Sequence, residues 1–228
     1  PIPDTLPITK INRAAISFVE QHEESILKPN FATGGQGATF LRSEIDLHRV
    51  WANNSVDVEW ILQARKDTVL FKKSDKDHPQ TLVIRLNVGG QNSSILKVES
   101  VYAQIGRDRW SPASTGHDSR IISKQDLEGN TGYIKTNRWC PLELDELFWS
   151  QAHTIAEQAA SIYQGLFLSG IDLIIDADAT GRPKCIVLEA NARPGGLCRS
   201  QCITDGKPKI SSELWKTLYD SICVQQKD

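Results

Sequence analysis

Three residues at the end of a short apolar run carry the clearest chemistry in this chain. Cys185, Ile186, Val187 and Leu188 read as a buried strand, and the run breaks into Glu189, Asn191 and Arg193 before Pro194-Gly195-Gly196. Side chains on a strand alternate faces, so Glu189 and Asn191 point the same way, joined by Arg193 if the strand runs that far. Oxygen ligands on one face suit a hard cation such as Mg²⁺, which keeps waters and takes further ligands from phosphates. A guanidinium beside them suits phosphate or carboxylate. A strand end with a polar rim and a Pro-Gly turn is the plainer reading of the same residues.

A second stretch, Lys28-Pro29-Asn30-Phe31-Ala32-Thr33-Gly34-Gly35-Gln36-Gly37, ends a strand at a lysine and continues into a glycine-rich loop. Glycines let backbone N–H groups approach an anion closely, and the lysine supplies charge. It is not a Walker A loop, because the lysine precedes the glycines and no GK[ST] follows. Its plainer reading is a flexible hairpin turn with a surface lysine. Arg85 lies inside the apolar run TLVIRLN, where a charge needs a partner or an aqueous face. It is either an edge-strand rim residue or a phosphate contact. Asp172, in the apolar run Ile171–Ile175, precedes the polar turn 176–184. A hairpin there puts Asp172, Glu189 and Asn191 in one all-oxygen cluster suited to one or two Mg²⁺. A nucleoside triphosphate bridging that cluster to Lys28 and the Gly34–Gly37 backbone accounts for both features with one ligand.

The elements that must hold these residues can be read from periodicity. Helices are expected over 10–24 with Thr9 as cap, from the Ser43/Asp46 capping pair to about Trp51, over 142–166, and over 211–224. In the third, the apolar face is Leu147, Phe148, Ala152, Ile155, Ala156, Ala159, Ile162, Tyr163 and Leu166. Strands are expected over 25–27, 38–41, 56–64, 68–71, 81–87, 95–105, 131–138 and 171–175, then from Cys185. Residues 72–77 read as a solvated turn and 89–94 as a hairpin loop. Residues 106–130 read as loops, with His117 a surface histidine that has no evident partner. The order predicts α+β with largely antiparallel sheets, not a doubly wound parallel sheet.

The 228 residues suffice for a sizeable core in one domain or two small lobes, and 39% hydrophobic with 24% charged residues is ordinary for a soluble globular protein. A net charge of −2 gives no electrostatic case for nucleic acid or an anionic membrane. No apolar run approaches the roughly 20 residues of a membrane span, and no signal-peptide pattern opens the chain. The five cysteines lack paired spacing and read as reduced cytosolic thiols, and no partner pair completes a zinc site with Cys198 and Cys202.

On these residues the chain resembles the ATP-grasp superfamily. ILKPNFATGGQGATF is similar to its phosphate loop, and GIDLIIDADATGRPKCIVLEANARPGG to its metal-binding hairpin. The resemblance follows the family's order of elements over nearly the whole chain. It implies two α+β lobes with mainly antiparallel sheets sandwiching the nucleotide, divided here as 1–66 and 67–228. It implies ATP and Mg²⁺ as cofactors, with Mn²⁺ able to serve in place of Mg²⁺. Lys28 matches the lysine on the α/β phosphates, and Gly34, Gly35, Gln36 and Gly37 the loop closing over them. Gln63 falls at the hinge position facing the adenine amino group, with Ala64 and Arg65 as backbone contacts and Asp67 as the ribose candidate. Asp172, Glu189 and Asn191 match the metal ligands, and Arg193 a residue near the transferred phosphate. Some family ligases place an arginine where Gly170 and Ile171 stand here; Arg85 or Arg193 is the candidate substitute.

The activity so implied is ADP-forming ligation of a carboxylate to an amine, amino acids or peptides, through an acyl phosphate. An ATP-grasp kinase or phosphotransferase, and a non-catalytic nucleotide-binding or scaffold domain, are the alternatives. The family's N-terminal domain precedes the matching residues, so a partner subunit or domain is expected besides small-molecule substrates. Nucleic acid and membrane are not expected, and the expected compartment is cytoplasmic.

Overall fold

The computed structural model describes residues 2–31, 35–54, 58–66, 68–90, 96–114, 117–163, 168–178 and 180–191. Gly34, Asp67, Arg193, the turn at 91–94 and the expected helix over 211–224 lie outside them.

Strands β1 (Thr5–Ile8), β2 (Ser25–Pro29), β3 (Thr39–Leu41) and β4 (Trp60–Ala64) form one antiparallel sheet in the order β1-β4-β2-β3. Helices α1 (Arg13–Gln21) and α2 (Glu44–Ala52) cover it. Leu27, Leu41, Leu62 and Trp60 pack there against Ala15, Val19 and Leu47. α1 is shorter than its periodicity predicts, because the cap is Asn12, whose side chain accepts the Ala15 N–H, and not Thr9. The Ser43 cap of α2 stands as expected, its hydroxyl accepting the Asp46 N–H at 3.2 Å.

The larger sheet contains β6 (Leu82–Gly89), β7 (Lys97–Ile105), β8 (Arg120–Ser123), β11 (Leu168–Ala177) and β12 (Pro183–Asn191), in the order β12-β11-β6-β7-β8. A third sheet joins β5 (Val69–Phe71) to the hairpin of β9 (Thr131–Lys135) and β10 (Arg138–Pro141). Every strand pairing among the described residues is antiparallel. Two readings of the 106–138 region are corrected. Residues 120–127 hold a strand and a short 3-10 turn, and 131–138 is two strands with a turn at Thr136 and Asn137, both at positive φ. The turn has no glycine, so it carries only a weak sequence signal.

Helix α3 (Glu146–Ala160) begins where Asp145 accepts the Phe148 N–H at 2.8 Å, and it is shorter at both ends than its apolar spacing predicts. Ala152, Ala156 and Ala160 lie on one line along the helix, letting it sit close to the sheet. Leu147 is 64% exposed, and Ile162 and Tyr163 follow the helix on the surface. The large sheet therefore has two unlike faces. One, carrying Ile84, Leu86, Ile171, Leu173, Ile175 and Cys185, packs on Phe148, Trp149 and the alanines of α3. The other carries Val83, Ile174 and Ile186 with Ala113 laid across them, and, in the same alternation, Arg85 and Asp172. No helix among the described residues is long and apolar enough to cross a membrane.

Candidate functional site

Three neighbouring strands place one side chain each in a row. Asp172 of β11 is the direct partner of Arg85 on β6 and of Glu189 on β12. Arg85 binds Asp172 at two points, Nε donating to Oδ1 and Nη2 to Oδ2 at 2.6 Å. Both are buried, at 8% and 5% exposure, whereas Glu189 is exposed. Asn191 completes the row: its Nδ2 donates to Glu189 Oε1 at 2.9 Å and lies 3.4 Å from Asp172 Oδ2. Burial pushes the Asp172 carboxyl up, to about 7, the Glu189 charge pushes the same way, and Arg85 pulls against both. Burial also works against the charge on Arg85, but the hydrogen bond and charge of Asp172 outweigh it and hold the guanidinium firmly protonated. The two-point contact is that of an ionised pair.

Glu189 reaches this row through a β-bulge. The register passes from Asp172↔Glu189 to Leu173↔Val187, so Leu188 is the extra residue. With regular pairing, Leu188 would oppose Asp172 and Glu189 would fall beside Ile171, on the core face. The bulge instead leaves Ile186, Leu188, Glu189 and Asn191 on the face opposite α3. Leu188 packs there with Val83, Ile174 and Ile186, a small apolar floor leading up to the polar row.

Lys28 approaches from the other sheet. Burial lowers its pKa and the Glu189 carboxylate raises it, which sets the ammonium and that carboxylate within each other's field. Lys28 Nζ donates to Gln63 Oε1 at 3.1 Å, Gln63 Nε2 to Thr5 Oγ1 at 3.1 Å, and Thr5 Oγ1 to the Pro3 carbonyl at 3.0 Å. Gln63 is 6% exposed, and both ends of its amide are engaged in fixing the lysine.

Behind Lys28 the loop turns on Gly35 and Gly37, at φ 73 and 75. Gly35 has a second reason to be glycine: a Cβ there would lie 2.2 Å from Ser114 Oγ. His117 Nε2 lies 2.7 Å from the Gly35 carbonyl and so donates to it. The reading of His117 as a surface residue without a partner is corrected, since it ties the loop after β7 to the glycine loop. Gln36 is exposed at the tip of the turn.

The hinge is less open than its residues imply. The Ala64 N–H is taken by the Asp4 carbonyl at 2.9 Å and the Arg65 N–H by the Glu24 carbonyl at 3.0 Å. As donors to a base, those two amides are therefore spent. The Arg65 side chain is almost fully buried, paired with Glu24 at 2.9 Å and set over Phe40 and Trp110. Arg42 and Arg109 also stack on Trp110, at 3.3 and 4.5 Å from its ring centre.

Of the residues singled out in the sequence, the structure brings together Lys28, Gln63, Arg85, Asp172, Glu189 and Asn191, with Gly35, Gln36 and Gly37 on the loop that continues from Lys28. Reading the sequence missed Thr5, His117 and the apolar floor. The floor had a signal in the alternation of Val83 with Arg85; Thr5 and His117 had none. Among the described residues no cluster of three or more His, Cys, Asp or Glu side chains is set to hold an ion alone. A carboxylate and an amide beside a lysine fit a cation that arrives with phosphate and keeps part of its water.

No protein-family model and no curated protein matches this chain. Solved structures do match it in fold. The D-alanine–D-alanine ligase from Bacillus anthracis, complexed with ATP, aligns over 100% of this chain and 61% of its own, at 12% identity and TM-score 0.53. The D-alanine–D-alanine ligase from Coxiella burnetii aligns over 95% of this chain and 48% of its own, at 12% identity and TM-score 0.51. The VanG D-Ala:D-Ser ligase from Enterococcus faecalis aligns over 85% and 48%, at 17% identity and TM-score 0.50. The fold is the α+β fold of the ATP-grasp enzymes. The chain spans about half to three fifths of the length of these three structures.

Proposed function

We propose that this chain is an ATP- and Mg²⁺-dependent carboxylate–amine ligase, or the ATP-binding portion of one. The observation that carries the reading is the facing of Lys28, from one sheet, and the Arg85–Asp172–Glu189 row with Asn191, from another. A lysine and a glycine loop suit phosphates, and the oxygen donors of Glu189 and Asn191 suit the accompanying cation. The division into lobes at 1–66 and 67–228 belongs to this proposal, as does the assignment of Gly34, Asp67 and Arg193 to it.

Lys28 would bind and orient the phosphates, held by Gln63 and Thr5. Glu189 and Asn191 would hold Mg²⁺, which when bound would neutralise charge on the transferred phosphate. Phosphoryl transfer depends on positioning and charge neutralisation more than on protein nucleophiles. A substrate carboxylate would take the γ-phosphate as an acyl phosphate, and an amine would then displace phosphate. Arg85, beside Asp172 in the row, supplies fixed positive charge near the place where certain family ligases carry an arginine and this chain has Gly170.

Hydroxylamine tests the reaction type. With the carboxylate substrate, ATP and Mg²⁺, the chain together with any partner domain it needs should give a hydroxamate and ADP. A phosphorylated alcohol in place of the hydroxamate would make it a phosphotransferase, and AMP as product would rule out the acyl-phosphate route. Absence of Mg·ATP binding at millimolar nucleotide would remove both enzyme readings.

A further inference from the structure

We infer that this chain holds one divalent cation with its nucleotide instead of two, because the Arg85 guanidinium occupies, on Asp172, the place a second cation would take. The inference rests on the nucleotide reading above and sharpens its metal chemistry. Asp172 and Glu189 stand side by side in the register, so by position alone they form a pair of carboxylates able to flank two ions. Their surroundings differ. Both Asp172 oxygens accept from Arg85, and the Asn191 amide approaches one of them. A cation joining Asp172 would have to sit against a guanidinium that is always protonated, or else pull the carboxylate away from it. The second route leaves Arg85 buried and unpaired, a costly arrangement for a side chain only 8% exposed.

Glu189 has the opposite character. It is exposed, the Asn191 amide donates to it at 2.9 Å, it touches the Asp172 carboxyl and lies in the fields of Lys28 and Arg85, and among the described residues no ion pair ties a cation to it. A Mg²⁺ with one carboxylate, an amide oxygen, waters and phosphate oxygens has an ordinary coordination shell. The row therefore reads as one exchangeable cation at Glu189 and one permanent cation at Arg85. The fixed charge does part of the neutralising that a second metal would do.

The test counts Mn²⁺. The full chain is titrated with Mn²⁺ and the non-hydrolysable analogue AMP-PNP, and bound Mn²⁺ is read by electron paramagnetic resonance. The wild-type protein should bind one Mn²⁺ per nucleotide, with no Mn–Mn coupling. Arg85→Met, with its fold checked by thermal melting, frees Asp172 and should bind a second, coupled Mn²⁺. Should Arg85→Met fail to fold, the wild-type count decides alone. Two coupled Mn²⁺ in the wild-type protein would overturn the inference and leave the nucleotide reading standing. No Mn²⁺ and no AMP-PNP bound would overturn both.

Discussion

Asp172 and Glu189 are direct cross-strand partners, and they are so because Leu188 is passed over in the pairing. One bulged residue decides which face of β12 carries the exposed carboxylate. The bulge also explains how a strand whose Cys185 and Val187 serve the core can present Leu188 and Glu189 together on the other side. The chemistry and the packing of β12 are thus solved by the same local irregularity.

Glu189→Gln keeps the size and exposure of the side chain and removes its charge. Turnover should fall by about 10²-fold or more, the scale of losing a positioned charge stabiliser, while the melting temperature without ligand stays close to wild type. Steady-state kinetics and differential scanning fluorimetry check the two halves; wild-type turnover would refute the metal assignment.

Lys28 gives a pH dependence. Burial lowers its pKa, and the Glu189 charge only partly restores it. The charged form, which the proposed function sets on phosphate, exists below the pKa. Nucleotide affinity should therefore decline on the alkaline side at a lower pH than an exposed lysine would give. Lys28→Arg should move that decline out of range, and Lys28→Ala should weaken Mg·ATP binding about 10-fold or more. Calorimetric titration between pH 7 and 10 reads all three.

Gly35→Ala meets two obstacles, a positive φ and Ser114 beneath it. Left-handed backbone costs a non-glycine residue about 1–2 kcal/mol. The variant should lose nucleotide affinity or stability by that amount or more, and adding Ser114→Gly should recover the steric part and leave the backbone part. A double-mutant cycle by denaturation separates the two.

His153, on α3, is half-buried, and its Nε2 has no hydrogen-bond partner among the described residues. Burial lowers its pKa, Lys124 adds to that, and Glu157 opposes it. The folded protein thus binds the proton less readily than the unfolded chain does. Its contribution to stability is complete above the unfolded value of about 6.5 and is lost as pH falls through the depressed folded value. Urea denaturation at pH 7.5 and 5.5 should show a drop that His153→Gln reduces; an unchanged slope would contradict this.

Much of this was legible in the residues. The β11–β12 hairpin and the lysine–glycine loop are contiguous motifs, so their spacing brings Asp172 close to Glu189, while the bulge at Leu188 that makes them direct partners carries no sequence signal. The Arg85–Asp172 bond spans 87 positions and depends on the register of β6 against β11, which no local pattern specifies. Arg85 could be recognised as a charge needing a partner, but the partner could not be named. The β9–β10 turn was hidden because Thr136 and Asn137 take positive φ without glycine. The packing of Trp110 and His117 was hidden because their partners, Arg42, Arg65 and Gly35, lie far off in sequence.

The Lys28–Gln63–Thr5 relay ends on an edge strand, since among the described residues β1 pairs only with β4. Pulling β1 from that edge takes Thr5 from the Gln63 amide and loosens the grip of Gln63 on the lysine. The grip on the lysine thus depends on the first few described residues staying paired at that edge. Strand pairing at one margin of the sheet and the placement of a charged side chain in its middle are therefore one structural problem, not two.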